Sequence, residues 1–210
     1  MASKKKEQSK KKEQSKTGSL VELVTIVAVA LGLALGIQAF LVKPFRIPSE
    51  SMVPQLAVGQ RVLVDRVSGR FSDPGRGDVV VFKPPKGADD GRCGTSNSST
   101  MPCGRPTKER SETNFIKRVV GLPGERLKVV KNQVYINGVR QEEPFINKGT
   151  PCAELCNMPE QITIPKDHYF MMGDNRGASA DSREWGPVPK KWMIGNAFMT
   201  YWPPKKIGRL

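Results

Sequence analysis

The sequence predicts a mainly β fold behind a single N-terminal transmembrane helix. An apolar run over residues 19–42 contains one charged residue, Glu22, and a run of about 20 such residues spans a bilayer as a helix. From residue 43 onward, short β-branched runs alternate with Gly and Pro, and no long amphipathic helix pattern appears. We therefore predict an anchor helix over 19–42 and an antiparallel β-rich domain over 43–210.

Two other interpretations of the apolar run are less consistent with its residues. A buried helix of a soluble protein would carry a polar stripe, yet Thr25 is the only polar side chain between residues 24 and 35. A cleavable signal peptide has a shorter apolar region followed by small residues, whereas this run continues through Phe40, Leu41 and Val42. The pattern favours an uncleaved anchor.

Basic residues dominate the chain, with 34 Lys and Arg against 20 Asp and Glu and a formal net charge of +14. Many of the lysines lie in residues 4–16, KKKEQSKKKEQSK, which contain seven Lys, two Glu and no apolar residue. We predict a disordered tail over 1–18. No aromatic residues interleave with these lysines, which disfavours binding to nucleic acid. Lysines next to an apolar helix predict a cytoplasmic N-terminus, with the β domain on the far side of the membrane.

Individual strands are predicted where β-branched and aromatic residues cluster between turn residues. These segments are residues 62–67, 78–82, 115–120, 127–130, 134–136, 162–164, 169–172 and 197–201. Asn137-Gly138 after the fifth segment indicates a tight hairpin.

Two segments break the strand pattern and hold the four cysteines. Residues 83–113 are polar and predict a surface insertion with Cys93 and Cys103, and residues 138–161 predict an irregular loop with Cys152 and Cys156. All four cysteines follow the predicted anchor, where an oxidising compartment permits disulfides. We expect each local pair to form a disulfide; other pairings, free thiols and a zinc site are the alternatives.

Four motifs in the β domain point to a family. In chain order they are PSESMVPQL at 48–56, RGDVVVF at 76–82, FIKRVVGLPGE at 115–125 and MGDNRGASADSR at 172–183. The first motif alone would be read as a turn. In this order behind an N-terminal anchor, the motifs resemble those of the bacterial type I signal peptidase family, a likeness that extends from residue 40 to about 204.

The resemblance implies a catalytic role for four residues. Ser51 matches the nucleophile and Lys117 the general base of a Ser-Lys pair. Ser49 matches the serine whose hydroxyl binds the oxyanion together with the backbone N–H of Ser51. Ser179 matches the serine that orients the lysine.

The resemblance also implies supporting residues. Asp181 and Arg183 match an ion pair near the site. The residues that match the walls of shallow pockets for small side chains are Ile47, Pro48, Met52, Leu56, Val81 and Ile116. The chain departs from the family pattern at Gly177-Ala178, where Asp-Asn is frequent. The local geometry of that loop is therefore expected to differ.

The chemistry of the residues agrees with a lysine base. A serine hydroxyl needs a neighbouring base to become a nucleophile, and the only histidine, His168, has no motif around it. An exposed lysine is protonated at neutral pH, but burial lowers its pKa. On a strand, Lys117 shares a face with Phe115 and Val119, which favours burial; an ordinary snorkelling lysine is the alternative.

These expectations combine into a function. We expect a membrane-bound serine endopeptidase that removes signal peptides after an Ala-x-Ala-like motif through an acyl-enzyme, without cofactor or metal. The expected partners are signal peptides of exported preproteins, membrane lipid and, functionally, the export translocon, but not nucleic acid. The expected location is the bacterial plasma membrane, with a plastid membrane as the alternative. A peptidase with one dedicated substrate, and a membrane-tethered basic binding protein without activity, are the competing functions; the intact Ser51, Lys117 and Ser179 disfavour the second.

Overall fold

The computed structural model describes residues 19–37, 41–96, 99–152 and 154–210. The chain divides into two compact units, one ending at Leu41 and the other extending from Val42 to Leu210. The first contains helix α1, Ser19–Ile37, which is long and apolar enough to cross a membrane. Inside it, the Thr25 hydroxyl donates to the Val21 carbonyl at 2.8 Å, so its polar group is satisfied without water. The predicted tail, and residues 38–40 of the predicted anchor, lie outside the described residues.

The second unit is built from short strands. Among the residues of this unit that the structure describes, the α-helices are two single turns, α2 (Ser68–Phe71) and α3 (Ser182–Trp185), which agrees with the lack of an amphipathic helix pattern. The described strands are β1 (Val42–Arg46), β2 (Arg61–Asp65), β3 (Val79–Phe82), β4 (Phe115–Gly121), β5 (Arg126–Val130), β6 (Gln133–Ile136), β7 (Val139–Arg140), β8 (Met158–Thr163), β9 (His168–Met172), β10 (Val188–Pro189), β11 (Met193–Trp202) and β12 (Gly208–Arg209).

All pairings between these strands are antiparallel, which confirms the predicted fold class. The larger sheet has the order β1-β2-β11-β3-β4-β9-β10, with β12 paired to β11, and the smaller has the order β7-β6-β5-β8. Strand β4 lies between β3 and β9, so residues 116–121 are buried on both faces. The register places Lys117 opposite Val80 on one neighbouring strand, while Arg118 pairs with Met172 on the other.

The structure differs from the predicted strands at their ends, and four of the described strands, β1, β7, β10 and β12, lie outside the predicted segments. Strand β1 was not predicted, because Val42 continues the apolar run and the residues after it include Pro44, Lys43 and Arg46. The strand forms at the edge of the sheet, where a proline is tolerated. The predicted hairpin at Asn137-Gly138 is confirmed: both residues have positive φ, 51° and 85°, as a type I′ turn requires.

The cysteines form two local disulfides, Cys93–Cys103 and Cys152–Cys156. This pairing was the preferred one of those that the sequence left open. The insertion that contains the first disulfide is fastened to the domain, because the Cys103 N–H donates to the Arg183 carbonyl at 2.9 Å. Part of the predicted surface insertion is therefore buried, with Cys103 fully enclosed.

Candidate functional site

Ser51 lies on a 3-10 turn, Glu50–Met52, that follows β1 and is fixed by Asn175, a residue distant in the sequence. The backbone N–H of Asn175 donates to the Ser51 carbonyl at 3.0 Å, and its side-chain Nδ2 donates to the Glu50 carbonyl at 3.2 Å. The Ser51 side chain is 5% exposed, and its Oγ lies 3.3 Å from the Oγ of Ser49. The two predicted serines are therefore neighbours on a turn that the loop after β9 holds in place.

Lys117 occupies the middle of the larger sheet, on the strand that contacts the Ser51 turn. It is 4% exposed, and its Nζ lies 5.9 Å from the centre of the Phe115 ring on the same strand face. Burial lowers the pKa of the Lys117 amine from 10.5 to about 8, because the ammonium loses its hydration. The negative charge of Asp181 opposes this shift, while the positive charge of Arg183 reinforces it.

Asp181 and Arg183 form a fully buried ion pair beside Lys117. The Arg183 Nε and Nη2 atoms donate to the two carboxylate oxygens, each at 2.8 Å. Asp181 also accepts from the Ser179 hydroxyl at 2.8 Å and from the Gly173 N–H at 3.1 Å. Burial alone would raise the pKa of the Asp181 carboxyl, but Arg183, Lys117 and the Gly173 N–H together outweigh burial, and the pKa lies below its usual value. The Ser179 hydroxyl is thus held on the carboxylate next to the lysine.

Gly173 joins the Ser51 turn to the Ser179 loop. A Cβ atom at this position would lie 2.3 Å from the Ser179 Oγ and 2.5 Å from the Ser51 carbonyl oxygen. Both distances are shorter than any packing contact allows. Only glycine therefore permits the Ser51 turn and Ser179 to approach β9 this closely.

The residues predicted to form the pocket walls belong to one apolar cluster that includes Met52 of the Ser51 turn, with one exception. The exception is Pro48, which is exposed and does not belong to the cluster. The predicted members of the cluster are Ile47, Met52, Leu56, Val81 and Ile116. They come from the segment around Ser51 and from strands β3 and β4, and each is at most 8% exposed.

Several site residues were not identified from the sequence. Arg118 donates from Nε and Nη2 to Asp174 at 2.8 and 2.7 Å, and a second buried pair joins Arg176 to Glu143 at 2.5 Å. Both pairs lie next to predicted site residues. The sequence did contain a sign of the first pair, because Arg118 is a charged residue inside an apolar strand segment. The role of Asn175 left no such signal, because it depends on a contact across 125 residues.

His168 lies where the sequence suggested, at the start of β9 and outside these contacts. Its Nδ1 is 2.7 Å from the Lys166 carbonyl oxygen, and its backbone pairs with Pro189.

Comparison with known proteins identifies the family. The family model for signal peptidase, peptidase S26, matches residues 20–202. The chain belongs to this family. Signal peptidase I of Leptolyngbya laminosa is 37% identical over 191 residues, covering 91% of this chain and 84% of that protein. Probable signal peptidase I-2 of Synechocystis sp. is 34% identical over 208 residues, with 99% and 82% covered.

A plant relative belongs to the same set of similar proteins. The thylakoidal processing peptidase 1 of Arabidopsis thaliana, a chloroplast protein, is 34% identical over 168 residues, which cover 80% of this chain and 44% of that protein. Membership of the signal peptidase family makes the chain a serine peptidase that acts on signal peptides. The predicted family is thereby confirmed.

The close approach at Gly173 generates a prediction. Gly173→Ala should lower kcat/KM for a preprotein by about 100-fold or more, because the added Cβ separates the Ser51 turn from Ser179 and small misplacements of reacting groups are costly. The matched control is Gly208→Ala, since a Cβ there meets nothing within 4 Å. Comparable activity of both variants in a cleavage assay would contradict the assignment of Gly173 to this contact.

Proposed function

We propose that this signal peptidase cleaves preproteins with Ser51 as nucleophile and Lys117 as general base. The observation that carries the proposal is the burial of the Lys117 amine on β4, beside the turn that presents Ser51. A lysine with a pKa of about 8 is neutral in about a tenth of the molecules at pH 7, whereas an ordinary hydrated lysine is almost wholly charged, so Lys117 can accept the Ser51 proton. The sole histidine takes no part in this set of contacts.

The proposed reaction proceeds through an acyl-enzyme. Ser51 Oγ attacks the scissile carbonyl as its proton passes to Lys117, and the oxyanion is bound by the Ser49 hydroxyl and the Ser51 N–H. The amine of the mature protein leaves with a proton from Lys117. A water molecule, deprotonated by the same lysine, then attacks the ester, and the signal peptide leaves Ser51 as Lys117 returns the proton to Ser51 Oγ. The 3.3 Å separation of the two serine hydroxyls supports the oxyanion role of Ser49.

The apolar cluster next to Ser51 favours substrates that carry small side chains before the cleavage site. Its predicted members are at most 8% exposed, and we infer that the surface they offer to a substrate is shallow. An alanine methyl group fits such a surface, whereas a larger residue would have to displace the packed side chains. We infer that preproteins with an Ala-x-Ala-like motif are the preferred substrates, and that lipid and the export translocon bring them to the enzyme.

The experiment that tests this function replaces the two proposed catalytic residues. Ser51→Ala and Lys117→Ala should each reduce preprotein cleavage by about 10⁴-fold or more, because neither partner substitutes for the other. Ser111→Ala on the insertion and Lys128→Ala on β5 are the matched controls and should keep the parent activity. Near-normal turnover by a folded Ser51→Ala or Lys117→Ala protein would refute the mechanism.

The pH dependence of kcat/KM tests the state of the base. Only neutral Lys117 is competent, so the rate should rise about tenfold per pH unit below pH 8 and level off above it. Measurement of cleavage from pH 5 to 11 decides this. A rate that climbs through pH 10 would indicate an ordinary hydrated lysine, and a flat profile from pH 5 to 9 would exclude a lysine base.

The proposed orientation places residues before α1 in the cytoplasm and the β domain outside it. Seven lysines among residues 4–16 favour a cytoplasmic N-terminus, and the two disulfides are typical of an oxidising compartment. Protease added to spheroplasts should digest the β domain and spare an N-terminal tag, whereas permeabilised cells should lose both. Digestion of the tag alone would reverse the orientation.

A further inference from the structure

The second disulfide lies against the loop that contains Ser179 and Asp181. Cys152 and Cys156 are separated by four positions in the sequence. Arg183, which is fully buried, directs its Nη1 atom toward this disulfide: it donates to the Leu155 carbonyl at 3.2 Å and to the Cys156 sulfur at 3.3 Å. The sulfur of Cys152 lies 3.6 Å from the same nitrogen. One edge of the guanidinium is therefore occupied by the disulfide segment.

The remaining donors of Arg183 hold the loop beside Lys117. Arg183 donates to Asp181 from Nε and from Nη2, and Nη2 also donates to the Arg176 carbonyl at 2.8 Å and to the Ser179 carbonyl at 3.2 Å. A guanidinium is a rigid planar fork, so a displacement of one edge moves the other. The disulfide segment and the Ser179 loop are thus coupled through a single side chain.

A second contact joins the same two segments through their backbones. A Cβ atom at Gly177 would lie 2.0 Å from the Pro151 carbonyl oxygen and 2.9 Å from the Thr150 side chain. Glycine is needed here because of this approach, and it stands where the family pattern frequently has Asp. The departure from the family pattern therefore coincides with the place where the disulfide segment packs on the Ser179 loop.

We propose that Cys152 and Cys156 are positioning residues for the Ser-Lys site: their disulfide fixes Arg183, and Arg183 in turn holds Asp181 and Ser179 against Lys117. This inference rests on the proposed function of Ser51 and Lys117. Neither cysteine touches the reacting atoms.

Loss of the disulfide should be detectable as a change in the pKa of Lys117. Burial is the largest influence on its pKa, and the charges that act on the amine belong to Asp181, Arg183, Asp174 and Glu184. If the Ser179 loop loosens, water reaches the amine, and the pKa moves from about 8 toward the ordinary value of 10.5. A variant that is merely less stable would lose active protein but keep the midpoint of its pH profile.

The test compares two double variants of the full chain in detergent, with a preprotein as substrate. Cys152→Ser/Cys156→Ser should lower kcat by about tenfold to 100-fold, with little change in KM, and move the midpoint of the kcat/KM profile above pH 8. The control is Cys93→Ser/Cys103→Ser, which removes a disulfide that also contacts Arg183, but through its backbone carbonyl. The control should keep the parent midpoint.

A single substitution tests the same coupling with both disulfides intact, in case the double variant does not fold. Gly177→Ala forces the Pro151 segment away from the Ser179 loop and should give the same shift of midpoint. Gly149→Ala, where a Cβ meets only the Asn147 side chain at an ordinary 3.4 Å, should not.

The outcomes separate this inference from the proposed function. An unchanged midpoint in Cys152→Ser/Cys156→Ser or in Gly177→Ala, or an equal shift in the Cys93→Ser/Cys103→Ser control, would overturn the positioning role. Ser51→Ala and Lys117→Ala are assayed on the same preprotein. If they retain turnover, the proposed function fails; if they abolish it while the cysteine variant keeps the parent profile, only the positioning role fails.

Discussion

The buried ion pair between Asp181 and Arg183 is the interaction on which the geometry of the site depends. Two charges without solvent are costly unless every polar atom finds a partner. Here the carboxylate accepts from Arg183, Ser179 and Gly173, and the guanidinium also donates to three backbone carbonyls. These partners belong to the end of β9, the Ser179 loop and the disulfide segment. Satisfaction of the pair therefore requires all three segments to be in place.

The same pair helps to explain why the pKa of Lys117 lies below its ordinary value although Asp181, Asp174 and Glu184 all act to raise it. An isolated Asp181 would stabilise the ammonium form of Lys117 and raise its pKa. Because Arg183 lies on that carboxylate, its positive charge offsets much of this effect, and burial decides the outcome. A second carboxylate, Asp174, is occupied by Arg118 in the same way. The ion pairs thus provide hydrogen-bond partners near Lys117, while burial still lowers the pKa of its amine.

Close backbone approaches are the second device that assembles the site. Gly173 lets the Ser51 turn and Ser179 meet at β9, and Gly177 lets the Pro151 segment reach the Ser179 loop. Neither position has a positive φ, so the need for glycine comes from space and not from backbone conformation. The first contact serves the residues that match the family's motifs, and the second serves a disulfide segment at the point where the chain departs from them.

The sequence by itself determined most of the strands, the apolar N-terminal helix and the identity of the residues that match the family's motifs. β-Branched runs, an Asn-Gly turn and an uninterrupted apolar stretch are local signals, and the motifs around Ser51, Lys117 and Ser179 are contiguous in the chain. Strand β1 was missed because an edge strand with Lys, Pro and Arg has no such signal and forms only when β2 is available to pair with it. The tertiary structure alone decided that Asn175 fastens the Ser51 turn, that Gly173 lies between two serines, and that Arg183 reaches a disulfide 27 residues before it. Those contacts join segments that are distant in the chain, and their geometry depends on the register of β3, β4 and β9, which no local pattern encodes.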